Sequence, residues 1–215
     1  MKVITLASQK GGCGKSSLAI SCAVLAARNA QRVLLIDADP QRTAIQWCTD
    51  RNGSPPEVRE IPGADLEKRL SLIARERFDF VIIDTPGQDH SLVATAIRNS
   101  AFTLIPCRPT TPDIQAMTAT STVARNFKRP YAFVLEQVLP TRGTRADEAA
   151  AALAEMGAVA PIRISHRIAW QDAYTAGQGI SEYEPKGPAA RELEALWRWL
   201  NARLKGAHNG QTTQD

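Results

Sequence analysis

The chain has 215 residues, 26 Lys and Arg against 22 Asp and Glu, a formal charge of +4 and 44% hydrophobic residues. This is enough apolar material for one sizeable core, but no apolar stretch approaches the length of a membrane span and no repeat or long low-complexity tract interrupts the sequence. The cysteines Cys13, Cys22, Cys48 and Cys107 form no C-x-x-C pair or metal spacing and read as reduced thiols, while His90, His166 and His208 show no partner pattern.

Met1 to Ala7 reads as a first strand, so no signal peptide is expected and the protein is placed in the cytoplasm. The run continues as SQKGGCGKSS and opens a helix carrying Leu18, Ala19, Ala23 and Ala26. Gly11, Gly12 and Gly14 can take dihedrals closed to residues with a Cβ, so successive N–H groups can converge on phosphate oxygens at the positive end of that helix. Lys15 then reaches the β and γ phosphates, Ser16 offers a hydroxyl to Mg²⁺, and Cys13 and Ser17 complete the cradle. The strict G-x-x-x-x-G-K-[ST] pattern is missed by one residue, because Gln9 stands at its first glycine.

Three further strands end in polar residues, where ligands bind in open α/β sheets. Arg32 to Ile36 runs into Asp37, Ala38, Asp39, Pro40 and Gln41; this aspartate pair also suits an ordinary helix cap. Phe78 to Ile83 ends in Asp84, Thr85, Pro86 and Gly87, and an acid at the end of an apolar strand beside a phosphate loop is placed to hold Mg²⁺. Thr103 to Pro112 combines a strand with a proline-rich loop that should be rigid; Pro106, Pro109 and Pro112 serve either the nucleotide or simply the turn into the next helix.

Lys128 to Leu135 predicts another strand, Pro140 to Arg145 a basic loop, Asp147 to Met156 a helix, and Ile162 to Arg167 a strand before a helix over Ala169 to Ala176 that stops at Gly177 and Gly179. In the last helix, beginning near Pro188, Leu193, Leu196, Trp197, Leu200 and Leu204 form one apolar stripe for packing on the sheet; Trp199 lies off it and is expected to be exposed. The alternation predicts a doubly wound, mostly parallel α/β sheet flanked by helices, one domain over residues 1–205, with a polar, flexible tail over 206–215.

The segment Lys10 to Ser16 resembles the KGGxGK[ST] signature of the ParA/MinD family of deviant Walker ATPases, and Asp37 to Gln41 matches the family's DxDPQ motif in full. The likeness extends from Met1 to about Leu204; DTPGQ departs from the DTPPS of many relatives. The resemblance implies a P-loop ATPase using ATP and Mg²⁺, with Lys10 crossing to the partner's nucleotide in an ATP-dependent homodimer. It also implies Asp39 orienting the attacking water and Asp37 near the metal, with Ser16 and Asp84 as metal ligands. ParA-type relatives bind DNA without sequence preference through basic residues of the C-terminal region, for which the candidates are Arg163, Arg167, Lys186, Arg191, Arg198, Arg203 and Lys205. The implied function is plasmid or chromosome partition, or cargo positioning, near the nucleoid, with a ParB-like or cargo-adaptor protein stimulating hydrolysis. A MinD-like membrane-associated regulator and a metabolic enzyme of the dethiobiotin synthetase kind are the alternatives; GAHNGQTTQD, with no apolar face, argues against the first and Lys10 against the second.

Overall fold

The computed structural model describes residues 1–139 and 144–209. The described residues build a seven-stranded sheet whose ladders are all parallel. In chain order the strands are β1 (Lys2–Leu6), β2 (Val33–Asp37), β3 (Glu57–Glu60), β4 (Phe80–Asp84), β5 (Phe102–Cys107), β6 (Tyr131–Val138) and β7 (Val159–Ser165). Their spatial order is β3-β2-β4-β1-β5-β6-β7, so β1 lies near the middle and its C-terminal end opens where the connections diverge to either side.

Successive side chains of a strand face opposite ways, and the core follows that period. Ile4, Leu6, Val33, Leu35, Phe80 and Ile82 join one cluster with helices α1 (Lys15–Arg28) and α9 (Pro188–Asn209). Val3, Leu34, Ile36, Val81 and Ile83 join the opposite cluster, covered by α3 (Leu66–Ile73) and α4 (His90–Arg98). Burying one such Leu or Ile side chain is worth about 1.5–3 kcal/mol. Both faces are covered, which is why these strands read as continuous apolar runs. Ala19, Ala23 and Ala26 of α1 are fully buried, their small side chains letting the helix lie close over the sheet centre.

Between these elements come α2 (Thr43–Thr49), a one-turn 3-10 helix at Gly63–Asp65, α5 (Thr111–Asn126), α6 (Arg145–Ala154), α7 (Ala169–Thr175) and α8 (Ile180–Tyr183). The expected apolar stripe of α9 is confirmed, since Leu193, Leu196, Trp197, Leu200 and Leu204 are buried against the sheet. Trp199 corrects the expectation of exposure: it is half-buried and meets the ring of Phe102 edge-on at 6.0 Å. The helix runs to Asn209, into the segment read as a polar tail; residues 210–215 lie outside the described residues, as do 140–143 of the basic loop. Pro106 stands inside β5, but pairing with β1 ends at Leu104, so no ladder donor is lost toward that neighbour. Arg108 and Thr110 tie the following loop to the Asp113 carboxylate, at 2.7 Å each to Oδ2, and thereby order the proline-rich segment.

Candidate functional site

The phosphate loop leaves the C-terminal end of β1 and enters α1. Gly12 and Gly14 sit at φ +73° and +87°, a region that only glycine enters without strain. Gly14 is also the N-cap of α1, with no side chain over the first N–H groups. The Lys15 ammonium donates to the Lys10 carbonyl oxygen at 3.0 Å, the Cys13 thiol points at the same oxygen at 3.3 Å, and the Lys10 N–H donates to Ser8 Oγ at 3.3 Å. Cys13 is fully buried, filling space behind the loop. Gly87 shows why a glycine suits the DTPGQ segment: a Cβ there would stand 3.3 Å from the Gly11 nitrogen.

The two acidic strand ends lie side by side, Asp37 opposite Asp84 across the β2–β4 ladder, with Asp84 also in register with Leu6 ahead of the loop. Their surroundings differ. Asp37 Oδ2 accepts from the N–H groups of Ala44 (2.8 Å) and Ile45 (3.0 Å), and Oδ1 from that of Asp39 (3.1 Å), so this carboxylate caps α2 from a distance. Burial raises its pKa, the three N–H groups pull it back, and the charge of Asp39 raises it again. Asp84 is fully buried and neither carboxylate oxygen has a hydrogen-bond partner of ordinary geometry. Burial pushes its pKa up to about 7; the neighbouring Ser16 hydroxyl and Lys15 lower it, while Asp37 and Asp39 raise it. An orphaned buried carboxylate beside a serine hydroxyl fits a hard cation. No three His, Cys, Asp or Glu side chains converge among the described residues. Asp39 is half-buried at the mouth, with Oδ1 accepting from the Gln41 N–H at 2.9 Å.

A cavity of about 390 Å³ adjoins the loop, lined by Gly14, Ser17, Gln137, His166 and Trp170 among others. Gln137 Nε2 donates to the Gly12 carbonyl oxygen at 2.9 Å, tying the end of β6 to the loop. Glu136, beside it, is buried, with Oε1 unpartnered and Oε2 3.1 Å from where a Cβ on Gly14 would stand. Sequence reading missed both residues; the one available signal was a charged residue inside an otherwise apolar strand.

The basic residues proposed for DNA separate into distinct environments. Arg163 pairs with Asp147 at 2.5 Å and Arg167 with Glu192 at 2.9 Å. Arg191 donates to the carbonyl oxygen of Lys186 at the start of α9. Arg198, Arg203 and Lys205 are exposed toward the other end of that helix, Arg203 stacked over Trp199 at 5.3 Å. The seven therefore do not form one patch.

With this geometry in place, comparison with known proteins is decisive: the CobQ/CobB/MinD/ParA nucleotide binding domain matches residues 4–178. The chain belongs to this family. It is 30% identical over 212 residues to the maintenance of carboxysome distribution protein A of Gloeobacter kilaueensis, covering 94% of each chain. It is 30% identical over 145 residues to Protein virC1 of Rhizobium rhizogenes, covering 65% of this chain and 58% of that protein, so it spans little more than half of that relative. Among solved structures, apo McdA of Cyanothece superposes with a TM-score of 0.77 at 19% identity, covering 93% of this chain and 99% of that one. MinD of Aquifex aeolicus, in its complex with MinC, superposes equally well (0.77, 18% identity, 94% and 96% covered). These two likenesses establish the fold. Among the described residues no helix is long and apolar enough to cross a membrane.

Proposed function

We propose that this family member is a ParA-type ATPase that dimerises on ATP, binds DNA without sequence preference and is released by hydrolysis, serving partition of DNA or positioning of an intracellular cargo. The observation that carries the reading is the double-lysine loop, in which the Lys15 ammonium donates to the Lys10 carbonyl oxygen, set beside the unpartnered carboxylate of Asp84. The relative of matching length acts in carboxysome distribution, which favours the positioning branch. The buried stripe of α9 speaks against that helix as a membrane anchor.

Each residue then has a definite task. The loop N–H groups and Lys15 hold the phosphates, and the cavity beside Gly14 and Gln137 receives the nucleoside. Ser16 and Asp84 would hold Mg²⁺, with Asp37 behind them; bound there, the ion supplies charge neutralisation on the phosphates. Asp39, at the mouth, orients the attacking water. Lys10 extends from the loop toward a partner subunit's nucleotide, so that hydrolysis waits for assembly. Because charge compensation is needed most as the phosphoryl group transfers, a lysine delivered only in the dimer acts on rate rather than on ATP affinity.

The test is binding of the purified protein to a random-sequence duplex with ADP and with ATP across a salt series, alongside Lys10→Ala. Binding that requires ATP, weakens steeply with salt and is lost in the variant supports the reading. A dimer formed on ATP that ignores DNA would keep the nucleotide chemistry and overturn the DNA step.

A further inference from the structure

The segment that leaves β4, Asp84 to Gln88, reads DTPGQ where many relatives read DTPPS, so Gly87 stands for a proline and Gln88 for a serine. Both changes add hydrogen-bonding capacity. Gly87 supplies a backbone N–H that proline lacks. Gln88 carries an amide that accepts and donates at once, on a side chain that reaches further than a serine hydroxyl.

The fold holds this segment against the phosphate loop from several sides. The Asp84 carbonyl oxygen accepts from the Ala38 N–H at 3.0 Å, next to Asp39. The Thr85 hydroxyl donates to the Leu6 carbonyl oxygen at 2.8 Å and so fastens the turn to the end of β1. A Cβ on Gly87 would stand 3.3 Å from the Gly11 nitrogen and 3.5 Å from the Lys10 carbonyl carbon, which places this residue against the start of the loop. On the other side Asp89 caps α4, its Oδ1 accepting from the Leu92 N–H at 2.9 Å. Gln88 thus lies between two anchored residues. It is exposed, and among the described residues neither its amide nor its backbone N–H has a hydrogen-bond partner in the protein. A glutamine so placed has no bond to give the fold and a free amide one residue from the glycine that touches the phosphate loop.

We propose that Gln88 is a further catalytic residue of ATP hydrolysis, its side-chain amide orienting the attacking water at the γ-phosphate alongside Asp39. This rests on the ATPase reading above. P-loop enzymes that hydrolyse GTP orient the attacking water with a glutamine, and the transferred phosphoryl group is the same in ATP. The amide oxygen accepts from one water O–H while Nε2–H donates to a γ-phosphate oxygen, which aims a water lone pair at phosphorus. The new P–O bond forms as the bond from phosphorus to the β–γ bridging oxygen breaks. ADP and inorganic phosphate result, and the proton lost by the water passes to a phosphate oxygen. A neutral amide takes no proton itself, so its contribution is orientation, felt in kcat rather than in ATP affinity.

The experiment measures phosphate release by the full chain at saturating ATP and Mg²⁺ for the unmodified protein, Gln88→Ala and His90→Ala. ATP affinity by isothermal titration and ATP-dependent dimerisation by light scattering accompany it. His90, exposed at the first position of α4, controls for disturbance of the turn. Gln88→Ala is expected to lower kcat about 10- to 100-fold while ATP affinity and dimerisation stay within about twofold, and His90→Ala should keep kcat within about twofold. Retention of ADP with aluminium fluoride, a mimic of the phosphoryl group in transfer, should fall in Gln88→Ala while retention of ADP alone does not. A kcat within about twofold of the unmodified chain, a loss that follows weakened dimerisation, or an equal loss in His90→Ala would overturn the assignment and leave the ATPase reading intact. An unmodified chain that binds ATP and releases no phosphate would overturn both.

Discussion

The Lys15 ammonium and the Lys10 carbonyl oxygen are 3.0 Å apart, so the two lysines of the phosphate loop are coupled through the main chain rather than through their charges. That carbonyl survives any change of the Lys10 side chain, and the loop shape should survive with it. Lys10→Ala is therefore expected to keep ATP affinity within about twofold and to abolish ATP-dependent dimerisation, whereas Lys15→Ala removes a charge-assisted contact worth about 10- to 100-fold in affinity. Isothermal titration with ATP and light scattering of the ATP-bound protein would separate the two. Equal losses of ATP binding in both variants would refute the division of labour.

Gly14 and Gly11 make a matched pair for testing the loop. At Gly14 the backbone lies at φ +87° and an added Cβ would come within 3.1 Å of Glu136 Oε2; at Gly11 it would meet nothing within 4 Å. Gly14→Ala should cost about 1–2 kcal/mol from the left-handed backbone alone, and Gly11→Ala should leave stability nearly unchanged. Urea denaturation of the two variants checks this; a destabilised Gly11→Ala would mean the loop is tighter than its geometry indicates.

What could be read from the chain alone was its chemistry at strand ends, because glycine, lysine and aspartate after an apolar run leave few other uses. The strands other than β3, and helices α1, α6, α7 and α9, were located to within a few residues, while α2, α3, α4, α5 and α8 were not placed. Other parts were hidden for identifiable reasons. Strand β3 is the charged tetrapeptide EVRE on the sheet edge, where both glutamates are exposed, Arg59 is half-buried and no apolar run marks it. Asp37 was weighed as a metal-side carboxylate or a helix cap, and only its three N–H partners, seven and eight residues on in two cases, reveal the cap. Trp199 looked free because the helical stripe excludes it, yet Phe102, almost a hundred residues earlier, covers its edge. Long-range partners of this kind leave no local pattern.

Arg51 shows the same point at larger stake. Its guanidinium is almost wholly buried, stacks 4.6 Å from Trp47, donates to the Gly177 carbonyl oxygen at 2.8 Å, and grips both oxygens of Glu182 at 2.8 and 3.0 Å. It thereby pins the end of α2 to the loop entering α8, where Glu182 also accepts the Gly179 N–H at 3.0 Å. Removing one partner of a buried pair strands the other, and because Glu182 keeps some solvent contact the lower end of the usual range applies: Arg51→Ala should cost about 3 kcal/mol. Chemical denaturation would measure it, and a loss well below 1 kcal/mol would show that water replaces the guanidinium freely.

Glu136 makes the stability of the chain depend on pH. Its carboxyl is buried against Gly14, faces Glu192 of α9 and Cys22 of α1, and forms no ion pair among the described residues; burial chiefly, with Glu192 adding to it, holds its pKa well above the ordinary 4.5, against a lowering from the Gln137 N–H. The sign follows directly. Between 4.5 and the raised value the folded chain holds a proton that the unfolded chain has lost, so stability from this group is complete below 4.5 and drains away as pH rises through the folded pKa. The slope approaches about 1.4 kcal/mol per pH unit while the difference is one full proton. Glu136→Gln, which keeps the shape and removes the titration, should match the parent in acid, exceed its stability at pH 7 to 8 and show a flatter profile. Urea midpoints from pH 5 to 8 for the two proteins decide it: parallel profiles would place the pH dependence elsewhere, and a variant less stable at pH 8 would mean that the ionised carboxylate is stabilised by its surroundings after all.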